Sequence, residues 1–228
     1  MDPYYILKCN AFNLETNEYN TRSQLGIDTV KDNAPHTSFR KKDHQIIDGF
    51  IKYDLTCETE LKKKGRAYGV DDIFQKFIII DEDTFYYNIN NELLILRSNK
   101  EVFYKFFNDM KDNKKYSLEK INVDFDNIIN NRYSLGIQGI WLGQIPDEIN
   151  VTTLSMFGCN IEDSNKYNQL LKEGAKIKNL SIIYNYNGNQ ERIMITKYGG
   201  IILYRSMDES DALLLVEDVY INMLSSNS

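Results

Sequence analysis

General acid–base chemistry near neutral pH most often uses histidine, and this chain has two, His36 and His44. They stand eight positions apart, with no cysteine beside them, in a stretch rich in turn-forming residues. No metal-ligand pattern has that spacing, so both read as solvated loop histidines. The three cysteines, Cys9, Cys57 and Cys159, are odd in number and far apart. They make neither a disulfide framework nor a zinc site, which fits a reducing, cytoplasmic compartment. Cys9 and Cys57 fall in apolar strand contexts, where a thiol packs as a small hydrophobe. Cys159, beside Gly158 in an expected turn, is the one placed for exposure.

Phosphate-cradling loops require glycines that open a helix. Gly136, Gly139 and Gly143 lie in or beside an expected strand, and Gly199-Gly200 sits between two strands, so neither group qualifies. The acids Asp81, Glu82 and Asp83 are expected in a turn between strands. Asp208, Glu209 and Asp211 begin the last helix, where the helix dipole favours them. One arrangement has the order of a metal-dependent nuclease: Asp48, then Glu60-Leu61-Lys62, with two carboxylates to hold Mg²⁺ and a lysine to stabilise phosphate charge. That is an alternative expectation. The sequence otherwise assigns no catalytic residue, metal or cofactor. The remaining candidates are cations: Arg40, Lys41 and Lys42, then Lys62, Lys63, Lys64 and Arg66, expected as a nucleic-acid-binding set because clustered cations neutralise phosphates and release counterions.

The elements that must position these residues are mostly strands. Residues 3–10 and 45–57 read as strands, the second with Ile47, Ile51, Tyr53 and Leu55 on its buried face, and 13–43 reads as mostly irregular. FIIID (77–81), TFYYN (84–88) and ELLIL (92–96) form an expected antiparallel meander. A helix over 99–112 follows, capped by Ser98 with Glu101 in a capping box and with Val102, Phe103, Phe106, Phe107 and Met110 at helical spacing. An extended piece at 118–124 and a helical turn at 125–131 are expected next. Strands at 136–145 and 151–158, with Pro146-Asp147 in the turn, precede a helix over 164–173 that stops at Gly174. Residues 178–186 and 191–198 flank Asn187-Gly188, the preferred pair for a type I′ hairpin turn. GIILYR (200–205) extends the sheet. Ser206 with Glu209 forms a second capping box before a helix with apolar positions 213, 216, 220, 223 and 224.

The expected fold is therefore α+β, mainly antiparallel sheet with about three helices, in two lobes: 1–112 including the long irregular loop, and 135–228, joined by 113–134. Its 228 residues, 42% hydrophobic and 26% charged, have a globular composition. No apolar run is long enough to span a bilayer, and residues 1–10 lack a signal-peptide pattern. The net charge of −6 is uneven: residues 1–70 hold 11 basic and 10 acidic side chains, while 71–228 hold 16 and 23. The abundance of Asn and Ile, 25 and 27 residues, points to AT-rich codons and a low-GC bacterium or a mobile element.

From residue 77 onward the order FIIIDEDTFYYNINNELLILRSNKEVFYKFF, LGIQGIWLG and TLSMFGCNIEDSNKYNQLLKEGAKI resembles the RexA-like phage-exclusion proteins over about 130 residues, by pattern more than identity. The resemblance implies a non-enzymatic, two-lobed, homodimeric DNA-binding protein of bacterial defence against phage, a class that often works with a membrane partner. The acidic charge departs from that pattern. The leading expectation is thus a non-enzymatic, cytoplasmic defence component that binds DNA or a phage or host protein. An acidic protein-binding inhibitor or antitoxin is a further alternative.

Overall fold

The computed structural model describes residues 2–15, 17–21, 34–42, 47, 49–66, 68–69, 71–113, 115–130, 136–145 and 150–225. The chain divides into two compact units, one of Lys8–Glu119 and one of Met1–Leu7 with Lys120–Ser228. The fold is α+β, with mostly antiparallel sheet and four α-helices among the described residues. Strand β1 (Asp2–Phe12) contributes residues to both units.

In the unit of Lys8–Glu119, the strands β2 (Glu18–Asn20), β3 (Thr37–Lys41), β4 (Phe50–Leu61), β5 (Gly65–Arg66), β6 (Ile73–Phe74), β7 (Phe77–Asn88), β8 (Leu93–Arg97) and β9 (Tyr116–Lys120) accompany helix α1 (Lys100–Met110). The sheet order is β1-β8-β7-β4-β3-β2, with β9 paired to β1, and β5 and β6 form a small ribbon of their own. Two strands, β2 and β3, thus fall inside the stretch expected to be irregular. Their aromatic residues account for this, because Tyr19 and Phe39 are buried and stack at 4.9 Å.

Alternation along β4 decides the two faces of this sheet. Tyr53, Leu55 and Cys57 are buried, and Asp54, Thr56 and Glu58 point the other way. Ile47, expected on the buried face, lies before the strand and is half-buried. Tyr53 stacks on Phe85 at 4.7 Å, and Phe39 meets both edge-on. Helix α1 closes this aromatic core with Val102, Phe103, Phe106 and Met110. Its cap is Asn99 rather than Ser98: Asn99 is extended, and its Oδ1 accepts from the amides of Glu101 and Val102 at 2.8 and 3.0 Å. Ser98 instead donates to the Asn99 carbonyl. An amide oxygen one residue closer reaches the free N–H groups that a serine at 98 cannot.

A second correction concerns the meander. FIIID and TFYYN are one twelve-residue strand, β7, and Asp81, Glu82 and Asp83 lie inside it rather than in a turn. The cause is the partner strand: β4 pairs with β7 from Phe50↔Asn88 to Leu61↔Phe77 without a break. Continuous hydrogen bonding overrides the turn preference of three acids, which an exposed strand tolerates.

The unit of Met1–Leu7 with Lys120–Ser228 contains α2 (Phe125–Asn130), β10 (Ile137–Gly143), β11 (Thr153–Phe157), α3 (Asn165–Lys172), β12 (Lys176–Tyr186), β13 (Asn189–Thr196), β14 (Gly200–Leu203) and α4 (Glu209–Val219). Its sheet order is β11-β10-β12-β13-β14-β1. The β12–β13 hairpin turns at Asn187 and Gly188, both with positive φ (50° and 78°) as a type I′ turn needs. Helix α3 stops at Gly174, φ 106°. Helix α4 begins after Asp208, two residues past the expected cap at Ser206, and Asp208 makes no side-chain cap bond. The helix continues into a π-helical turn at Tyr220–Leu224, and Leu213, Val216, Tyr220, Met223 and Leu224 are all buried. Pro146 and Asp147 lie outside the described residues.

Candidate functional site: the β4–β7 arm

Beyond the last β8 pair, Thr84↔Arg97, strand β7 continues for seven residues with only β4 beside it among the described residues. At about 3.3 Å per residue the two strands form an arm of about 23 Å. Its inner part is flanked by β3, which pairs with β4 from Thr37↔Cys57 to Lys41↔Tyr53. Past that point the arm is a two-stranded ribbon ending in Lys62, Lys63, Lys64 and the β5–β6 hairpin.

The ribbon is apolar and only partly covered on both faces. Phe77, Ile78, Ile79 and Ile80 are 39, 38, 39 and 60% exposed, and since neighbours on a strand point to opposite sides, neither face is fully packed. Leu61, Ile73 and Phe74 are exposed as well, and Tyr68 fully so. With large side chains contributing about 150–250 Å² each, the partly exposed seven leave a patch on the order of 600 Å², the top of the range that monomers show. The sequence reading missed this site. Its signal was the run Phe77–Ile80, whose composition alone reads as an ordinary buried strand.

The cations expected to act together are divided by β4. Lys41 lies opposite Tyr53 and Lys62 just past Leu61, nine strand residues apart, or about 30 Å. The first group is largely neutralised. Arg40 pairs with Glu18 at 3.2 Å and Lys42 with Asp54 at 2.5 Å. On the same polar face His36 Nδ1 lies 2.6 Å from Glu58 and Lys76 lies 2.8 Å from Glu60. The Arg40–Glu18, Lys42–Asp54 and Lys76–Glu60 pairs are exposed and each contribute at most about 1 kcal/mol, whereas His36 and Glu58 are mostly buried rather than solvated. A shallow groove of about 500 Å³ there is lined chiefly by Glu18, Asn20, Ser38, Arg40, Asp54 and Thr56. The second group differs. Lys62, Lys63 and Lys64 are exposed and make no ion pair among the described residues, and Arg66 stands 3.5 Å from Asp71.

At the base of the arm the charge is reversed. Asp81, Glu82 and Asp83 follow one another on β7, and burial together with Asp81 holds the Asp83 carboxyl above its usual range, with Arg97 opposing. The arm is therefore basic at its tip and acidic at its base.

Of the nuclease set, Asp48 and also His44 lie outside the described residues. Glu60 and Lys62 are two apart at the end of β4. The Glu60 carboxyl is held below its usual range by the hydrogen bond from Lys76. Among the described residues no group of three or more His, Cys, Asp or Glu side chains is arranged to hold a metal ion.

Cys57 lies on the buried face, where Thr37 Oγ1 sits 3.6 Å away and itself bonds Asp109, which is paired with Lys105. Burial pushes its thiol up to about 11 and that of Cys9 up to about 12. These are inert thiols, since the thiolate is the nucleophile. Cys159 is exposed. In the unit of Met1–Leu7 with Lys120–Ser228, a second groove of about 500 Å³ carries Asp124, Asp126, Lys176 and Lys197 in balanced charge. Among the described residues no helix is long and apolar enough to cross a membrane.

No known protein-family model matches the chain, and no curated protein is significantly similar to it in sequence.

Proposed function

We propose that this protein is a non-enzymatic binding component of a bacterial or prophage-encoded anti-phage defence system, and that it engages a protein through the β4–β7 arm. One observation carries the reading: five large apolar side chains, Leu61 and Phe77–Ile80, are exposed on the two faces of the ribbon, and Ile73 and Phe74 add to them at its tip. Leaving them there forgoes about 25 cal/mol for each Å², and a protein surface recovers that energy where a phosphate backbone does not. The defence assignment draws on the RexA-like order of elements and on the AT-rich residue usage. On this reading the protein works in the cytoplasm, and a membrane protein is one candidate partner, alongside a phage or host protein. An inhibitor or antitoxin role would use the same surface.

The test is protection. Wild-type protein expressed in a bacterial host should lower phage plating efficiency, and Ile80→Asp, at a side chain 60% exposed, should abolish that effect while leaving the circular dichroism spectrum unchanged. Equal protection by the variant would overturn the assignment to the arm.

DNA binding is the second reading, favoured by the exposed Lys62, Lys63 and Lys64 without ion-pair partners among the described residues. A short duplex titrated across a salt series tests it. Affinity that is undetectable at low salt, or unchanged when these three lysines become glutamates, removes it.

A further inference from the structure

We infer that the arm's occupant is the arm of a second copy of this chain, the two β7 strands pairing antiparallel by their free edges around a two-fold axis at Ile79. The inference deepens the proposed function and rests on its premise that the arm is a contact surface.

Three features select this partner. The first is the backbone edge. Residues 77–83 of β7 have β4 on one side and no strand on the other among the described residues, and a row of unpaired N–H and C=O groups is a template for strand addition.

The second feature is register. An antiparallel pair centred on Ile79 sets Ile78 opposite Ile80, Phe77 opposite Asp81 and Lys76 opposite Glu82, each contact occurring twice because a two-fold interface is isologous. Apolar and opposite-charge cross-strand pairs are the unit that stabilises such a ladder. Lys76, already 2.8 Å from Glu60 of its own arm, would lie between two carboxylates.

The third is charge distribution along the arm. Antiparallel pairing brings the cations Lys62, Lys63, Lys64 and Arg66 of one tip toward Asp81, Glu82 and Asp83 at the base of the other. Asp81, Glu82 and Asp83 follow one another along that base, so a partner's lysines would meet three successive acids. A parallel arrangement would instead oppose like charges.

Edge pairing sets Phe77, Ile78, Ile79 and Ile80 of the two copies side by side, so that each exposed side chain gains a cross-strand neighbour. In this arrangement each tip hairpin, with Ile73, Phe74 and Tyr68, is carried onto the partner's unit of Lys8–Glu119.

Sedimentation velocity on the full chain tests the inference, with a cysteine placed on the axis as the geometric check. Wild-type protein should sediment as a dimer at micromolar concentration. Ile79→Asp, which opposes two carboxylates across the axis, should weaken association at least about 100-fold. In a Cys159→Ser background, Ile79→Cys should form an intermolecular disulfide on mild oxidation, because facing residues in an antiparallel pair have Cα atoms about 4.5–5.5 Å apart, within disulfide reach. Thr59→Cys, which pairs with Ile79 inside the arm and lies off the axis, should not. Wild-type protein that stays monomeric overturns the inference, and so does an Ile79→Cys protein that crosslinks no faster than Thr59→Cys. A monomer whose protection is still lost in Ile80→Asp would sink the inference alone. A dimer whose Ile80→Asp variant still protects would sink the proposed function alone.

Discussion

Truncating two side chains on neighbouring strands separates a surface awaiting a partner from a surface packed by the protein itself. Leu55 on β4 is 1% exposed and Ile80 on β7 is 60% exposed, and both belong to the unit of Lys8–Glu119. A fully buried aliphatic side chain stabilises by about 1.5–3 kcal/mol, so the two-fifths of Ile80 that the fold covers amounts to about 1 kcal/mol at most. Ile80→Ala retains the Cβ and should cost about 0.5–1 kcal/mol. Leu55→Ala leaves a cavity in the aromatic core and should cost about 2–5 kcal/mol. Urea unfolding reads the difference, followed at nanomolar concentration so that self-association does not contribute. With a slope of about 2–3 kcal/mol per molar urea, the midpoint falls by about 0.3 M for Ile80→Ala and by about 1 M or more for Leu55→Ala. An Ile80→Ala cost of 2 kcal/mol or more would mean that the arm is covered by its own chain, and the reasoning from exposure would fail.

Asn99→Ala removes the cap of α1 and should destabilise by about 1 kcal/mol in a thermal melt; an unchanged melt would refute the assignment of the cap. Ellman's reagent at pH 8 should find one fast thiol, Cys159, and two more only on unfolding, because Cys9 and Cys57 are buried with raised pKa values. A second fast thiol in native protein would contradict that burial. The same shifts fix a pH dependence. Folded thiols that titrate at about 11 and about 12, above the ordinary 9.0, stabilise the fold fully below pH 9 and lose that contribution as pH rises toward 12. The urea midpoint should fall steadily from pH 9 to pH 11, and a midpoint that rises would reverse the sign of the argument.

Where local chemistry decides structure, the sequence could be read directly. The hairpin at Asn187-Gly188 needs two positive φ angles, and those residues supply them. The stripe Leu213, Val216, Tyr220, Met223 and Leu224 is buried as its spacing implies. Where a distant partner decides, local signals mislead. Asp81, Glu82 and Asp83 look like a turn until β4 is known to pair through them. Two cation groups within 27 residues look like one patch, yet the strand between them is extended and sets them about 30 Å apart. The run Phe77–Ile80 has the composition of a core strand, and composition carries no information about whether anything packs on it. The site was therefore hidden by its resemblance to ordinary core, and only the exposure of both ribbon faces reveals it.

Backbone amide exchange along Phe77–Asp83, followed as protein concentration rises from nanomolar to tens of micromolar, tests the role of the arm most directly. If the free edge of β7 pairs with a second copy, alternate amides in this stretch pass from fast to slow exchange as dimer forms, while those of β4 and β8 within the unit stay slow throughout. Fast exchange of the same amides at every concentration would contradict the account.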